Sequence, residues 1–461
     1  MQSSKPETLR QALILAAVPA GSALTDGERA VSLSAVLGGS CLGRSRRELT
    51  GKSVLVAVAT QLDAALTLID LDGFARRLVL LPPDVKKHQL AAIIRDAGVN
   101  AAVCSDPVPY AEFGLETVVV CGGELRSDSP DTEIQRRTEW LMLTSGTTGD
   151  AKIAVHTLGA LMGAIAPAST EAQRPVWATF YDIRRYGGLQ IFLRAVLCGG
   201  SLILSRPDEP VAGHLSRLAA AKVTHMSGTP THWRRALMSA AVTALKPSYI
   251  RLSGEIADQS ILDALHSSFP GSAIGHAYAS TEAGVGFDVN DGREGFPSSY
   301  LGEPRNGVEM RIVGGALRIR SNRTASAYAG RPDLPMGDAE GWVDTGDIVE
   351  QRDGRCYFAG RRGGIINVGG LKVHPEEIET VINRHDAVRQ SRVKPRKSPV
   401  IGAIVVADVV LRDDGGDIEK LKQDIMALCR DSLPAHKIPA VLNVVADIEM
   451  TAGGKVSRQH A

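Results

Sequence analysis

The residues with the clearest capacity for chemistry lie in Leu141-Met142-Leu143-Thr144-Ser145-Gly146-Thr147-Thr148-Gly149-Asp150-Ala151-Lys152, where an apolar run passes into a loop of hydroxyls and glycines that ends on a lysine. Such a composition suits a phosphate. Gly146 and Gly149 allow the backbone to fold back with its N–H groups pointing inward, the serine and threonine hydroxyls add donors, and Lys152 adds a point charge. The spacing is not the Walker pattern, because two residues rather than four separate the glycines and the lysine comes three after the second. A different phosphate loop is expected; on composition alone, a surface turn competes with it.

A phosphate loop needs a rigid carrier, and the flanking sequence supplies one. Ser53 to Ala59 reads as a buried strand, Gln61 to Ala75 as a helix, Leu78 to Leu81 as a strand, Asp84 to Ala97 as a helix, and Ala101 to Cys104 and Thr117 to Cys121 as strands. This alternation predicts α/β structure with parallel strands. The polar stretch Glu124 to Arg137 leads to the strand that feeds the loop. Beyond the loop, strands are expected near Val176 to Tyr181, Ser201 to Leu204, Val223 to Met226, Tyr249 to Ser253 and Ala273 to Tyr278, with a helix over Ser260 to Phe269. Two α/β layers therefore flank the loop. Between Tyr300 and Glu350 the pattern shortens to strands and turns, as in Val308 to Val313 and Ala316 to Arg320, and predicts a β subdomain. Gly360-Arg361-Arg362-Gly363-Gly364 then breaks the chain. Past it, a strand at Ile365-Ile366, a helix over Pro375 to Ile382, strands near Val388 to Val393 and Val400 to Val406, and a helix over Ile418 to Leu433 make a compact α+β unit. In that last helix Ile418, Leu421, Ile425, Leu428 and Cys429 share one face. The expected organisation is a large N-terminal domain (1–360), a break at 361–364 and a small C-terminal domain (365–461).

Composition narrows the ligand. The 461 residues suffice for two or three domains with sizeable cores. Charged residues make up 22% and the net charge is +1, which gives no reason to expect a nucleic-acid or membrane surface and favours a small molecule. The six cysteines, at 41, 104, 121, 198, 356 and 429, form no Cys-x-x-Cys pair, and no histidine cluster has metal spacing, as expected of reduced thiols in a cytosolic protein. Lys5 to Arg10 and the apolar run to Ala20 look faintly like a secretory leader. Glu7 interrupts the basic region and the run is short, so an amphipathic first helix is expected instead. No run approaches the ~20 apolar residues of a membrane span.

Read together, these stretches resemble the adenylate-forming superfamily of acyl-CoA synthetases, peptide-synthetase adenylation domains and luciferases. The phosphate loop is the first signature. Gly275-His276-Ala277-Tyr278-Ala279-Ser280-Thr281-Glu282 is similar to the family's tyrosine-glycine-x-threonine-glutamate motif, Gly341-Trp342-Val343-Asp344-Thr345-Gly346-Asp347 to its ribose-binding aspartate motif, Gly360-Arg361 to its glycine-arginine pair, and Gly453-Gly454-Lys455-Val456-Ser457-Arg458 to its terminal lysine motif. Taken singly, Glu282 fits an exposed turn carboxylate, Thr345 and Asp347 fit turn formers and Lys455 fits a solvated tail. Only their joint occurrence in order favours the family.

The resemblance implies specific roles. Tyr278 would stack on adenine, with Gly254, Glu255, His276 and Ala277 beside the nucleotide. Thr281 and the loop (Thr144, Ser145, Gly146, Thr147, Thr148, Gly149 and Lys152) would contact phosphate, Glu282 would ligate Mg²⁺, and Asp347 and Arg361 would grip the ribose. Lys455, catalytic with Thr281 and Glu282, would bridge the carboxylate and the α-phosphate. The acid would be held by Tyr181, Arg184, Arg185, Tyr186, Gly188, Ser253 and Gly275, with Thr229 to Trp233 and Ser253 to Ile256 also lining its pocket. Rotation of the small mobile domain about the break would withdraw the lysine and bring Gly369, Gly370 and Lys372 to a thiol.

This sequence departs from the family at three places. Gly363 stands where many relatives have a hinge aspartate, Ala279 follows Tyr278 in place of glycine, and Tyr181 to Gly188 replaces a segment that often carries an aromatic gate. Arg184 and Arg185 there could pair with a second carboxylate on the acid or form a solvated loop face. The expectation is an ATP-, Mg²⁺- and CoA-dependent acid-thiol ligase, a cytoplasmic monomer or homodimer. An acyl carrier protein as acceptor and a non-catalytic nucleotide-binding relative are the alternatives.

Overall fold

The computed structural model describes residues 7–127, 136–144, 152–166, 174–368, 371–398, 402–412, 417–451 and 453–457. In one sheet the strands Ser53–Ala57, Arg77–Leu80, Ala101–Cys104, Thr117–Val120 and Glu139–Leu143 run parallel, and Ile153–Thr157 and Ala327–Tyr328 extend it antiparallel. In a second, Ala23–Thr25, Ser201–Ile203, Val176–Thr179, His225–Gly228, Tyr249–Ser253 and Ala273–Ser280 are parallel, with Ala30–Ser32 and Gly284–Val289 antiparallel at the two edges. Strands such as Ser53–Ala57 are almost wholly apolar because both of their faces are covered. Helices Gln61–Leu71 and Tyr186–Leu197 are buried nearly throughout and join side chains of both sheets in one core.

The expected alternation is present, with shifted bounds. The first helix spans Leu9–Leu15, capped by the Thr8 hydroxyl, and the helix expected to reach Ala75 stops at Leu71, just before Gly73 at φ +97°. The helix expected from Asp84 begins at Lys87, beyond Pro82-Pro83, and the strand expected at 223–226 lies at His225–Gly228. Ile153–Thr157 pairs antiparallel with Glu139–Leu143, so residues 144–152 connect a β-hairpin whose ends are tied by the Thr144 N–H to the Lys152 carbonyl at 2.8 Å. The β subdomain is an antiparallel sheet of Phe296–Pro297, Arg355–Arg361, Val343–Arg352, Ala316–Ser321 and Val308–Val313.

The smaller C-terminal domain has its own core. Its strands Val388–Ser398 and Gly402–Leu411 are longer than expected, and Val441–Val444 adds a parallel third. Helices Pro375–Ile382 and Ile418–Ser432 pack on them, the second burying Ile425 and Cys429. All six cysteines are free thiols. No helix among the described residues is long and apolar enough to cross a membrane.

One buried carboxylate ties the N-terminal helix to the strand that feeds the loop. Asp72 accepts the Leu9 N–H at 2.6 Å and the Trp140 indole N–H at 2.9 Å, and burial raises its pKa to about 7. Between the unfolded value of 3.8 and about 7, the folded chain holds a proton that the unfolded chain does not, so this group's contribution to stability falls as pH rises through that window. Asp72→Asn should remove the dependence. Chemical denaturation of both proteins from pH 4 to pH 8 should show the wild type losing on the order of 3 kcal/mol relative to the variant; a constant difference would exclude a neutral Asp72.

Candidate active site

The glutamate of the second signature sits on a turn that the core holds in place. His156, in the Ile153–Thr157 strand and fully buried, donates from Nε2 to the Thr281 carbonyl at 2.7 Å. Burial lowers its pKa to about 4, which keeps the ring neutral. The Ser280 hydroxyl accepts the Ala283 N–H at 2.9 Å, and the Glu282 carbonyl accepts the Ala325 N–H at 2.9 Å. The Glu282 carboxylate is hydrogen-bonded to the Tyr328 hydroxyl, whose pKa rises to about 12 through burial and then through that charge. The Lys152 ammonium lies 5.2 Å from the centre of the Tyr328 ring. The two ends of the hairpin loop, Thr144 and Lys152, are thus near Glu282, while Ser145, Gly146, Thr147, Thr148 and Gly149 lie outside the described residues.

A second group forms where the β subdomain meets the Ala273–Ser280 strand. Asp347 and Arg361 are directly opposed in the hairpin of Val343–Arg352 and Arg355–Arg361, and the Arg361 Nε donates to Asp347 Oδ1 at 2.9 Å. The Tyr278 hydroxyl donates to the other oxygen at 2.5 Å, and its ring lies nearly parallel to those of Phe358 and Phe287 at 5.3 and 5.7 Å. Arg361 also donates to the Thr345 carbonyl at 3.1 Å. A carboxylate fixed by a cation on one oxygen and a phenol on the other suits a pair of neighbouring hydroxyls.

The C-terminal domain inserts its lysine loop between these groups. Gly454 accepts the Thr229 hydroxyl at 2.7 Å on its carbonyl, and the Val456 N–H donates to Glu255 Oε1 at 3.0 Å, so the residues on either side of Lys455 are bonded to the large domain. Farther out, Arg235 donates to Asp447 at 2.8 Å and Asn383 to Asp258 at 3.4 Å. A Cβ on Gly254 would meet the Lys455 Cε at 3.5 Å, Thr229 at 3.7 Å and the Tyr181 hydroxyl at 4.0 Å, so the lysine lies against the end of the Tyr249–Ser253 strand. Burial pulls its pKa below the usual lysine value, Glu255, Asp347 and Glu282 push it up, and Arg361 pulls it down. One lysine therefore senses the Asp347–Arg361 pair and the Glu255 and Glu282 carboxylates at once.

The remaining sequence-predicted residues fall into distinct places. Tyr181 donates to the Ser253 carbonyl at 2.7 Å and is buried beside His232, at 5.6 Å between ring centres. Gly188 packs so tightly that a Cβ would lie 2.2 Å from the Asp182 carbonyl oxygen, and on Gly275 one would lie 2.0 Å from Asn290. Arg184 is 2% exposed and spends its donors on both Asp182 oxygens, at 2.8 and 2.6 Å, and on the Val58 carbonyl at 2.7 Å. Arg185 pairs with Asp84 and runs beside Gly453 of the lysine loop. Tyr186 is buried, with its ring 5.4 Å from that of His156. His276 donates to the Arg293 carbonyl at 3.0 Å, and Ala277 is buried. At Gly363 an added Cβ meets nothing within 4 Å. Lys372 is exposed on the Leu371–Val373 strand, and Gly369 and Gly370 lie outside the described residues.

Sequence reasoning missed His156 and Tyr328, and it took Thr229 and His232 only as pocket lining. Neither His156 nor Tyr328 belongs to a motif, and each acts through a partner far along the chain. Thr229 carried one signal, a threonine directly before proline, which marks a helix cap; its hydroxyl caps Pro230–Ala236 and also holds Gly454.

The profile of the AMP-binding enzyme family matches residues 74–322, and that of the AMP-binding enzyme C-terminal domain matches residues 377–455. The chain belongs to this family. It is 30% identical to the 2-succinylbenzoate–CoA ligase of Salmonella typhimurium over 69% of this chain and 67% of that protein. It is 26% identical to the long-chain-fatty-acid–CoA ligase of Yersinia pestis over 75% of this chain and 65% of that one. Among solved structures, the fold matches a benzoate CoA ligase from Burkholderia xenovorans with a TM-score of 0.81 at 19% identity, covering 97% of this chain and 98% of that one. The chain is accordingly an AMP-forming ligase of the acyl- and aryl-CoA ligase family, with a nucleotide site.

The closed position of the lysine loop depends on Gly454. At φ +72° a Cβ there would lie 1.8 to 2.8 Å from three atoms of the His232 imidazole. Gly454→Ala should keep the loop out and lower acid-dependent ATP–pyrophosphate exchange at least about 100-fold. Adding His232→Ala should restore part of the loss, and exchange unchanged in the single variant would show that the lysine works from another position.

Proposed function

We propose that this enzyme joins a small aromatic carboxylic acid to the thiol of CoA in the cytoplasm, through an acyl-adenylate and with Mg²⁺ assisting the first step. The observation that carries the reading is the convergence of Lys455 from the small domain with Glu282, Asp347 and Arg361 of the large one. An aromatic acid is supported by the ring-rich wall beside the lysine, where Phe180 stacks on His232 at 5.3 Å and Tyr181 meets it edge-on. Relatives named for 2-succinylbenzoate, p-hydroxybenzoic acid and benzoate support it too.

In the first half-reaction the carboxylate approaches the α-phosphate of ATP, so negative charge meets negative charge. Lys455 would bridge the two, with Thr281 and the 144–152 loop as donors that strengthen as pyrophosphate leaves. The site fits Mg²⁺, which takes one or two carboxylates and completes its shell with phosphate and water: Glu282 would hold it, and it would neutralise the triphosphate. Asp347 and Arg361 would hold the ribose, with Tyr278, Gly254, His276 and Ala277 around the adenine. The closed lysine loop would keep water from the adenylate. Rotation about Gly363 would then exchange Lys455 for the face carrying Gly369, Gly370 and Lys372, and admit the thiol.

The test is pyrophosphate release with ATP and Mg²⁺ over a panel of aryl, short, medium and dicarboxylic acids, each with and without CoA. Release that requires an aryl acid and rises with CoA is expected. Release indifferent to CoA but stimulated by a phosphopantetheinylated carrier would move the acceptor to a protein, and none with any acid would leave a nucleotide-binding relative. Lys455→Ala should slow adenylation by a factor of about 10²–10³ while sparing thioester formation from supplied acyl-AMP; equal loss of both would overturn the lysine's assignment. Arg185→Ala should raise the Michaelis constant only for acids with a second anionic group, and no change for any acid would retire Arg185 as a substrate contact.

A further inference from the structure

The Glu255 carboxylate is a point at which the two domains share one side chain. Its Oε2 accepts the Thr231 N–H of the large domain at 3.0 Å, and its Oε1 accepts the Val456 N–H of the small domain at 3.0 Å. Both partners are amide donors, so the site requires an acceptor on each oxygen. Only a carboxylate supplies that, because an amide side chain would turn an NH₂ toward one of the two N–H groups.

The carboxylate stands on a fixed platform. It follows Gly254, at φ +86°, at the end of the Tyr249–Ser253 strand, and the neighbouring parallel strand His225–Gly228 ends just before Thr229. Two adjacent strand ends therefore clamp the lysine loop, Thr229 through the Gly454 carbonyl and Glu255 through the Val456 N–H. Departure of the loop breaks both bonds but leaves Glu255 on Thr231, so the carboxylate waits in place for the loop to return.

We propose that Glu255 is a latch for the small domain: it sets the fraction of time that Lys455 spends in the site, and so divides turnover between adenylation and thiol transfer. It is a positioning residue that acts through the backbone on which Lys455 is carried, not a contact to the adenine. The inference rests on the assignment of Lys455 to adenylation, and its test includes a readout that needs neither acid nor thiol.

Cysteines replacing Arg235 and Asp447, which face each other across the domain boundary, can be joined by a short bismaleimide in a Cys198→Ser background, and the rate of joining reports how often the small domain is closed. Glu255→Gln should lower that rate about tenfold, the effect of losing a hydrogen bond to a charged group. The same variant should lower acid-dependent ATP–pyrophosphate exchange by a similar factor at an unchanged Michaelis constant for ATP, with thioester formation from supplied acyl-AMP within about twofold of the parent. Val456→Pro deletes the same bond from the small domain and should reproduce the pattern, and Glu255→Asp, with two acceptor oxygens, should recover part of it. A cross-linking rate unaffected by Glu255→Gln and Val456→Pro would overturn the latch, as would a raised Michaelis constant for ATP at unchanged cross-linking, which would make Glu255 a nucleotide contact. Absence of exchange with every acid in the parent protein would bear on the proposed function and leave the cross-linking result to decide the latch.

Discussion

A lysine proposed to meet a polyanion has to be stripped of water without losing its proton. Lys455 is placed under that tension: burial favours the neutral amine, and three carboxylates, at 255, 282 and 347, favour the ammonium. Desolvation strengthens whatever attraction the charge can exert on phosphate, and the surrounding carboxylates oppose the loss of the proton that burial favours. The layout of the chain assembles this field from parts that, in the proposed cycle, separate. The carboxylates belong to the large domain and the ammonium to the small one, so closure completes the field and opening dismantles it.

The large domain supplies the carboxylates from two sheets, Glu255 and Glu282 from one and Asp347 from another, and a single segment ties the Glu282 turn to the hairpin sheet. Residues 325–329 bond to the Glu282 turn, through Ala325, and to the Ile153–Thr157 strand, through Ser326 and Ala329. In the same segment Tyr328 reaches Glu282 with its hydroxyl and Lys152 with its ring. His156 completes the link from beneath. A change in the hairpin sheet therefore reaches Glu282 through a neutral histidine and a tyrosine, neither of which has to touch substrate.

Much of this was legible before the structure. Strands with both faces covered are written as unbroken apolar runs, and the glycine, hydroxyl and charge spacings that mark the five signatures are local. The meeting of Asp347 and Arg361 was legible for the same reason, since the two lie on one hairpin. What escaped was pairing across long separations. Glu255 meets Val456 across 201 residues and His156 meets Thr281 across 125, and nothing in either neighbourhood names the partner. Arg184 illustrates the opposite error: its position suggested a substrate contact, yet Asp182, two residues away, takes both of its forks, an arrangement that the sequence allowed but did not dictate. The Ile153–Thr157 strand escaped because it offers only three apolar residues before His156, too short a run to mark a strand by its pattern.

The bonds across the domain boundary are polar: an amide to a carboxylate, a hydroxyl to a carbonyl, a guanidinium to a carboxylate, a side-chain amide to a carboxylate. Apolar burial makes heat capacity fall on association, and polar burial works against that fall. The proposed closure of the small domain therefore draws from these four bonds none of the heat-capacity fall that apolar burial gives the two cores. The proposed opening and closing would answer to ionic strength as well, because salt screens the charged groups among these contacts.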